Sequence, residues 1–288
     1  MKTLIISDVH VNWPALQAVL EAESNFDQVI CLGDLVNYGP QPAECVSWAM
    51  GLGPANILIQ GNHDRAFSLL KPVCSPIDPP FAEAMQAATN ELVTAKMKAF
   101  LAGLPPALEF SRGMTKCAAL HAELTEWRLS YTDEMNPQWP WESDIIVRGH
   151  PDALFLLVGH PDVMFFAGAH VPFKVHWAST LTINPGSVGC PLDGDPRAAY
   201  AVWDGTDITI HRVEYDVEET IAASGRLKLD SELKKYFAHG LRTGGNSIQR
   251  IETAIHNDSG NTPRTDSAKT TGGKRTKQKR RGDPVFLN

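Results

Sequence analysis

At 288 residues, with 43% hydrophobic and 20% charged side chains, the chain has the makeup of an ordinary globular protein, which excludes wholesale disorder. Its cysteines, Cys31, Cys45, Cys74, Cys117 and Cys190, are odd in number and have no Cys-x-x-Cys spacing, which argues against a disulfide framework or a zinc knuckle. The net charge of -7 is unevenly spread: residues 257–288 hold eight Lys/Arg against three Asp, so an acidic body without long-range attraction for nucleic acid precedes a basic tail.

In chain order, Leu4-Ile5-Ile6 is a short apolar run that meets Asp8 and His10 too soon to be a signal peptide. No later run is long enough to span a bilayer, so a cytoplasmic protein without a membrane partner is expected. The runs Gln28 to Leu32 and Asn56 to Ile59 repeat the first arrangement, and each reads as a buried strand. Between them, Pro14 to Glu23 and Pro42 to Met50 open on proline and are apolar at helical spacing. The unit is β-α-β-α-β, hence an α/β fold with a parallel sheet and right-handed crossovers.

Phe81 to Leu101 is free of Gly and Pro and predicts one long helix, or two broken near Asn90. Strand-like runs follow at 107–110, 116–120, 163–167, 173–177, 180–183, 199–203 and 208–213, and a second, more antiparallel sheet fits them. Residues 125–160, with tryptophans and prolines around Asn136 to Trp141, suggest a cap inserted over the site. Residues 216–256 read as a helical extension, with helices starting near Asp216 and Ser231, and 257–288 as a disordered basic tail.

Chemistry is concentrated where three strands end. Ser7-Asp8-Val9-His10, Gly33-Asp34 and Gly61-Asn62-His63-Asp64 each follow one predicted parallel strand directly. Ligands of open α/β sheets bind at the carboxyl ends of strands, so two carboxylates, two imidazoles and a carboxamide are delivered to one crevice. Such oxygen and nitrogen donors suit divalent Mn, Fe, Zn or Ni, and the lack of thiolate disfavours a structural zinc site. Any one of these residues alone could be a helix cap or a hydrogen-bonded loop histidine. Three successive strand ends make that bland account poor.

The motifs Asp-x-His at 8–10, Gly-Asp at 33–34, Gly-Asn-His-Asp at 61–64 and a lone His121 resemble the calcineurin-like metallophosphoesterases over residues 1 to about 215. Asn184 to Gly189, followed by Asp193 to Arg197, is similar to the closing segment of that family's small bacterial branch. The resemblance implies a four-layer α/β/β/α sandwich with two mixed sheets. It further implies two divalent ions, Asp8 and His10 being ligands of the first, Asp34 bridging, and Asn62 and His121 ligands of the second. His63 matches the non-ligand histidine facing the leaving group, with Asp64 the residue that orients it. Asn12, Asn62 and His63 are the expected substrate contacts.

The family's Gly-His-x-His motif is only half present. In Phe166-Ala167-Gly168-Ala169-His170, His170 is in register as a ligand of the first ion, but Gly168 or Ala169 stands where the second ion's imidazole belongs. His160 would have to fold back over ten residues to replace it. Val11 also stands where the family commonly has glycine, and a larger side chain there is expected to narrow the mouth of the site.

The implied activity is a metal-dependent phosphatase or phosphodiesterase in which an ion-bound water, its pKa lowered from about 15.7 toward 7, attacks phosphorus. Its substrate would be a phosphorylated small molecule, a nucleotide or a phosphoprotein. One alternative is a degenerate family member that binds a phosphorylated ligand without turnover. Another is nucleic-acid processing assisted by the tail at Lys274 to Arg281, against which stands the simpler reading of a solvated end.

Overall fold

The computed structural model describes residues 1–71, 79–121, 123–125, 128–130, 161–177, 179–245 and 285–286. Strand β1 (Thr3–Ile6), helix α1 (Trp13–Ala22), β2 (Gln28–Cys31), α2 (Pro42–Gly51) and β3 (Ile57–Leu58) form the parallel unit expected from the apolar runs. Proline opens α1 and α2 because its missing N–H is not needed in a first turn, and the Asn12 side chain caps α1 by accepting from Ala15 N. Helix α3 (Asn62–Leu69) follows β3 at once. Its sequence is mostly polar and buries only His63, Asp64, Ala66 and Phe67, which is why no apolar period announced it. Helices α4 (Pro79–Asn90) and α5 (Ala95–Ala102) confirm the break after Asn90, with Thr94 capping the second.

The remaining strands are β4 (Ala107–Arg112), β5 (Thr115–His121), β6 (Glu123–Thr125), β7 (Arg128–Ser130), β8 (Val163–Ala167), β9 (Phe173–Trp177), β10 (Thr180–Asn184), β11 (Ala198–Trp203) and β12 (Ile208–Val213). They do not all join one sheet, as the sequence had suggested. Strands β11 and β12 return to the first sheet, in the order β12-β11-β1-β2-β3, with β11 antiparallel to β1. The second sheet runs β13-β9-β10-β8-β5-β4, where β13 is Val285–Phe286. Its centre is parallel, β5 with β8 and β8 with β10, and its other three pairings are antiparallel, so it is mixed and the more antiparallel of the two sheets. Pairing of β13 on the edge of β9 also gives two residues of the supposedly disordered tail a place in the fold; 246–284, the end of the expected helical extension and most of the tail, lie outside the described residues, as do 131–160 of the expected cap, at whose start β6 pairs with β7.

Alternation along β1 separates two cores. Ile5, with Ile30, Leu32 and Ile59, faces Cys117, Ala119, Phe165, Ala167 and Ile183 of the second sheet. Leu4 and Ile6, with Val29 and Cys31, face α1, α2 and α5 through Leu16, Val19, Val46, Met97 and Leu101. Full burial of each such side chain stabilises the fold by about 1.5–3 kcal/mol. The extension forms α6 (Val217–Ala223) and α7 (Ser231–Thr243), the latter running through Gly240. Leu227, Phe237 and Leu241 pack on Met85 and Ala88 of α4 in a smaller core of their own. No helix among the described residues is long and apolar enough to cross a membrane.

Candidate metal centre

Parallel strands from both sheets end at the same crevice. Strands β1, β2 and β3 deliver Asp8 and His10, Asp34, and Asn62; β5 ends on His121, and the turn after β8 carries His170. Past the strand ends the loops stay in register, with Asp8 N donating to Gly33 O at 3.0 Å and His10 N to Asp34 O at 3.0 Å. The Asn184 to Gly189 segment closes on them from the other side: Val188 N donates to Ser7 O, Gly189 N to Asp8 O, and Ser187 Oγ to Asp8 O at 2.7 Å. Approach is close enough that a Cβ at Gly61 would stand 2.0 Å from Asp34 Oδ1, and one at Gly189 1.9 Å from Val9 O. Asp8, His10, Val11, Asp34 and His170 all have positive φ, between 44° and 55°, a backbone cost of about 1–3 kcal/mol each that the packed surroundings hold in place.

The donor atoms of Asp8, His10, Asp34 and His170 lie within 4.8 Å of one another, and all four residues are buried. His10 Nδ1 lies 3.0 Å from Val36 O, His121 Nδ1 2.6 Å from Leu32 O and His170 Nδ1 2.6 Å from Cys190 O. In each neutral ring Nδ1 therefore carries the hydrogen and Nε2 presents a lone pair, the arrangement that orients ligating histidines. These lone pairs converge: His10 Nε2 and His170 Nε2 are 3.3 Å apart, and His170 Nε2 is 3.3 Å from Asp8 Oδ1. Neither Asp8 oxygen has a hydrogen-bonding partner among the described residues. Buried acceptors facing acceptors need a cation or a proton between them, so the residues fit a divalent ion.

A second grouping shares Asp34. His121 Nε2 lies 3.3 Å from Asp34 Oδ2 and 3.1 Å from Asn62 Oδ1, while His10 Nε2 is 3.9 Å from the same Asp34 oxygen. One carboxylate thus faces both sets of donors. The described residues bring Asp34, Asn62 and His121 together here; of Gly168 and Ala169, either of which stands where a further imidazole was lacking in the sequence, the first has φ +104°. His160 lies outside the described residues.

Electrostatics follow from burial and crowding. Burial disfavours a charged His121, but Asp34, through charge and hydrogen bond, outweighs it and pushes the ring up to about 9. Burial likewise disfavours a charged His170, but the Asp8 charge and the hydrogen bonds to Cys190 outweigh it and raise the ring to about 10. Burial raises the Asp8 carboxyl, whereas the surrounding imidazoles overcome burial at Asp34 and hold it well below the usual carboxylate range. Burial lowers His63 to about 4, with Asp34 opposing.

Three expectations are corrected. Asp64 does not orient His63: its Oδ1 accepts from Leu35 N and Val36 N, and its Oδ2 from Gly61 N, so it ties the second and third strand ends together. Asn37 is the residue at His63 Nδ1, at 2.8 Å, and the sequence reading missed it because it sits in a turn with no motif of its own. Asn12 is no free substrate group. Its Oδ1 accepts from Ala15 N and Thr220 Oγ1, its Nδ2 donates to Gly189 O and Tyr215 Oη, and its hydrogen-bonding capacity is used up. Nor does Val11 narrow the mouth; its side chain is wholly buried in the helix-side core.

His63 itself stands in the first turn of α3, its N donating to Asp34 Oδ1 at 2.9 Å and its Nε2 3.8 Å from Asp34 Oδ2. Tyr38 forms a wall beside it, with ring centroids 4.8 Å from both His63 and His10. Tyr38 stacks on Phe81 of α4, which meets Tyr236 of α7, so the C-terminal extension braces this wall.

A crevice of this donor chemistry, at the joined strand ends of two mixed sheets, defines a metallophosphoesterase-type fold and site. Residues 1–207 match the calcineurin-like phosphoesterase superfamily domain, and the chain belongs to that family. It is 30% identical over 222 residues, 75% of this chain and 88% of the relative, to an uncharacterized protein of Methanocaldococcus jannaschii. The crystal structure of a metallophosphoesterase from Sphaerobacter thermophilus, 30% identical, superposes with a TM-score of 0.62 over 85% of this chain and 99% of that one. A shorter match, 40% over 67 residues, is to a symmetrical bis(5'-nucleosyl)-tetraphosphatase of Psychromonas ingrahamii and covers 22% of this chain and 24% of that protein.

Proposed function

We propose that the protein is a metal-dependent phosphoester hydrolase. The observation that carries this is the buried convergence of Asp8, His10, Asp34 and His170 donor atoms within 4.8 Å, with no hydrogen bond donated to either Asp8 oxygen among the described residues. Those four residues would hold one divalent ion, and Asp34, Asn62 and His121 a second. Divalent ions supply an acidified water and a Lewis acid for phosphoryl oxygen. Asp34 sets the spacing of the two donor sets, since its Oδ2 faces both His10 and His121. His63, whose Nε2 enters the crevice beside them, faces the leaving-group oxygen, and Asn62 and His63 are the substrate contacts. Help to the leaving group of this kind is typically worth about 10²- to 10⁴-fold. Transition-metal ions with nitrogen and oxygen preference, Mn, Fe, Zn or Ni, suit the donor set.

The test is a panel of a phosphomonoester, a phosphodiester, diadenosine tetraphosphate and a phosphopeptide, each assayed with Mn, Fe, Zn, Ni and Mg. The short likeness to a tetraphosphatase places dinucleoside polyphosphates on that panel. Metal-dependent turnover of at least one ester is expected. The three-donor second set favours one other reading, a phospho-ligand binding protein without turnover. It would be adopted if no ester were cleaved with any metal while a phosphate ester still bound.

A further inference from the structure

His63 differs from the other three imidazoles of the crevice in what holds its Nδ1. His10, His121 and His170 place Nδ1 on backbone carbonyls, which are acceptors only. His63 places Nδ1 2.8 Å from the side-chain amide nitrogen of Asn37, and the same nitrogen donates to Ala82 O at 3.4 Å. The Ala82 carbonyl decides which way the amide points. Turning it over would bring Asn37 Oδ1 against another acceptor and forfeit a donor, whereas the present orientation leaves only Oδ1 without a partner. An amide N–H aimed at Nδ1 requires a lone pair there, so the hydrogen of the neutral ring must be on Nε2. Among the described residues no carboxylate competes for Nδ1, because both oxygens of Asp64 are engaged by backbone N–H groups.

We propose that Asn37 is the positioning residue of His63: it fixes the Nε2–H tautomer, which bars His63 from ligating a metal and makes it a neutral hydrogen-bond donor to the leaving-group oxygen. The second half rests on the hydrolase reading above. In this step a water-derived oxygen bonds to phosphorus as the ester P–O bond breaks, the leaving oxygen departs with the electron pair of that bond, and the His63 N–H stabilises its charge without being transferred. The proton of the product alcohol then comes from water. The backbone agrees with such specialisation, since Asn37 sits at φ +74°, a conformation that asparagine adopts more readily than most residues.

The tautomer can be read without activity, by ¹⁵N–¹H two-bond correlation of histidine-labelled protein, free of metal and loaded with zinc. His63 is expected to show a protonated Nε2 and an unprotonated Nδ1, opposite to zinc-bound His10, His121 and His170. A protonated Nδ1 on His63 would overturn the proposal whether or not any ester is cleaved. The variant Asn37→Gly, chosen because glycine accepts that φ, is expected to keep metal content and lose the single tautomer. Its kcat should fall about 10-fold on phenyl phosphate and less on p-nitrophenyl phosphate, whose leaving group needs less stabilisation. Added to His63→Ala, it should cost nothing further. Equal losses on both esters, or a further loss on the His63→Ala background, would make Asn37 a scaffold residue only. If the wild-type protein cleaves nothing, the hydrolase reading falls and the spectrum alone decides the tautomer.

Discussion

The two halves of the crevice are built to different standards. On one side Asp8, His10, Asp34 and His170 converge from both sheets with every donor buried. On the other, Asp34, Asn62 and His121 offer one carboxylate, one amide and one imidazole. Among the described residues the second set is the smaller by one donor. Of the two residues standing where the imidazole was lacking, Gly168 and Ala169, the first holds φ +104°, where a side chain would be strained by about 1–3 kcal/mol. On the hydrolase reading, affinity is expected to be concentrated in the first half, with the shared Asp34 facing the donors of the other.

Removing what the halves share should have the largest effect. Asp34→Ala takes away the carboxylate facing both donor sets and the acceptor that holds His63 N. Loss of both metals by elemental analysis and a fall in turnover of about 10²- to 10³-fold or more are expected. Retention of one tight ion would show that the first half closes without it. Next in size is the contrast between halves. His170→Ala should weaken the tight ion by about 10- to 100-fold, whereas His121→Ala should leave it in place and abolish only a second, weaker one. Titration of metal-free protein with manganese reads both, and two equally tight ions in the wild type would remove the asymmetry.

Protons sharpen the same comparison. Without a cation, Asp34 holds His121 up to about 9 and Asp8 holds His170 up to about 10, so both rings are charged at neutral pH. A metal needs their Nε2 lone pairs. Binding should therefore release about one proton from each half, and affinity should rise with pH until those rings titrate. Calorimetry in buffers of differing ionisation enthalpy counts the protons; release of none would mean that both rings are already neutral.

Much of this was legible because apolar runs and polar strand ends are local signals. The short buried stretches at Leu4, Val29 and Ile57 gave the parallel unit, and the motifs following them gave Asp8, His10, Asp34, Asn62 and His63 as neighbours before any coordinates. What stayed hidden depends on pairings distant in sequence. The antiparallel return of β11 beside β1 is settled by which sheet has a free edge next to β1, and nothing in Ala198–Trp203 declares it. Asn37 took the role expected of Asp64 because adjacency in sequence is not adjacency in space: consecutive residues of a helix point about 100° apart, and Asn37 arrives from another loop.

The smallest effect concerns the residue whose expected role changed most. Asn12 was expected at the substrate, yet its amide joins α1 to Gly189 and, through Thr220 and Tyr215, to the C-terminal extension. Asn12→Ala removes an N-cap, worth about 1 kcal/mol, and leaves buried partners unsatisfied for a similar amount. Thr220→Val, on the other side of the same contact, removes only one of those bonds. Thermal unfolding should therefore drop by roughly 4–8 °C for the first variant and less for the second, with KM changed by no more than about twofold in either. The reverse pattern, a large rise in KM with stability intact, would return Asn12 to the substrate. That outcome would require its amide to let go of Thr220 and Gly189 when an ester binds, and the extension would then be coupled to substrate and not only to the fold.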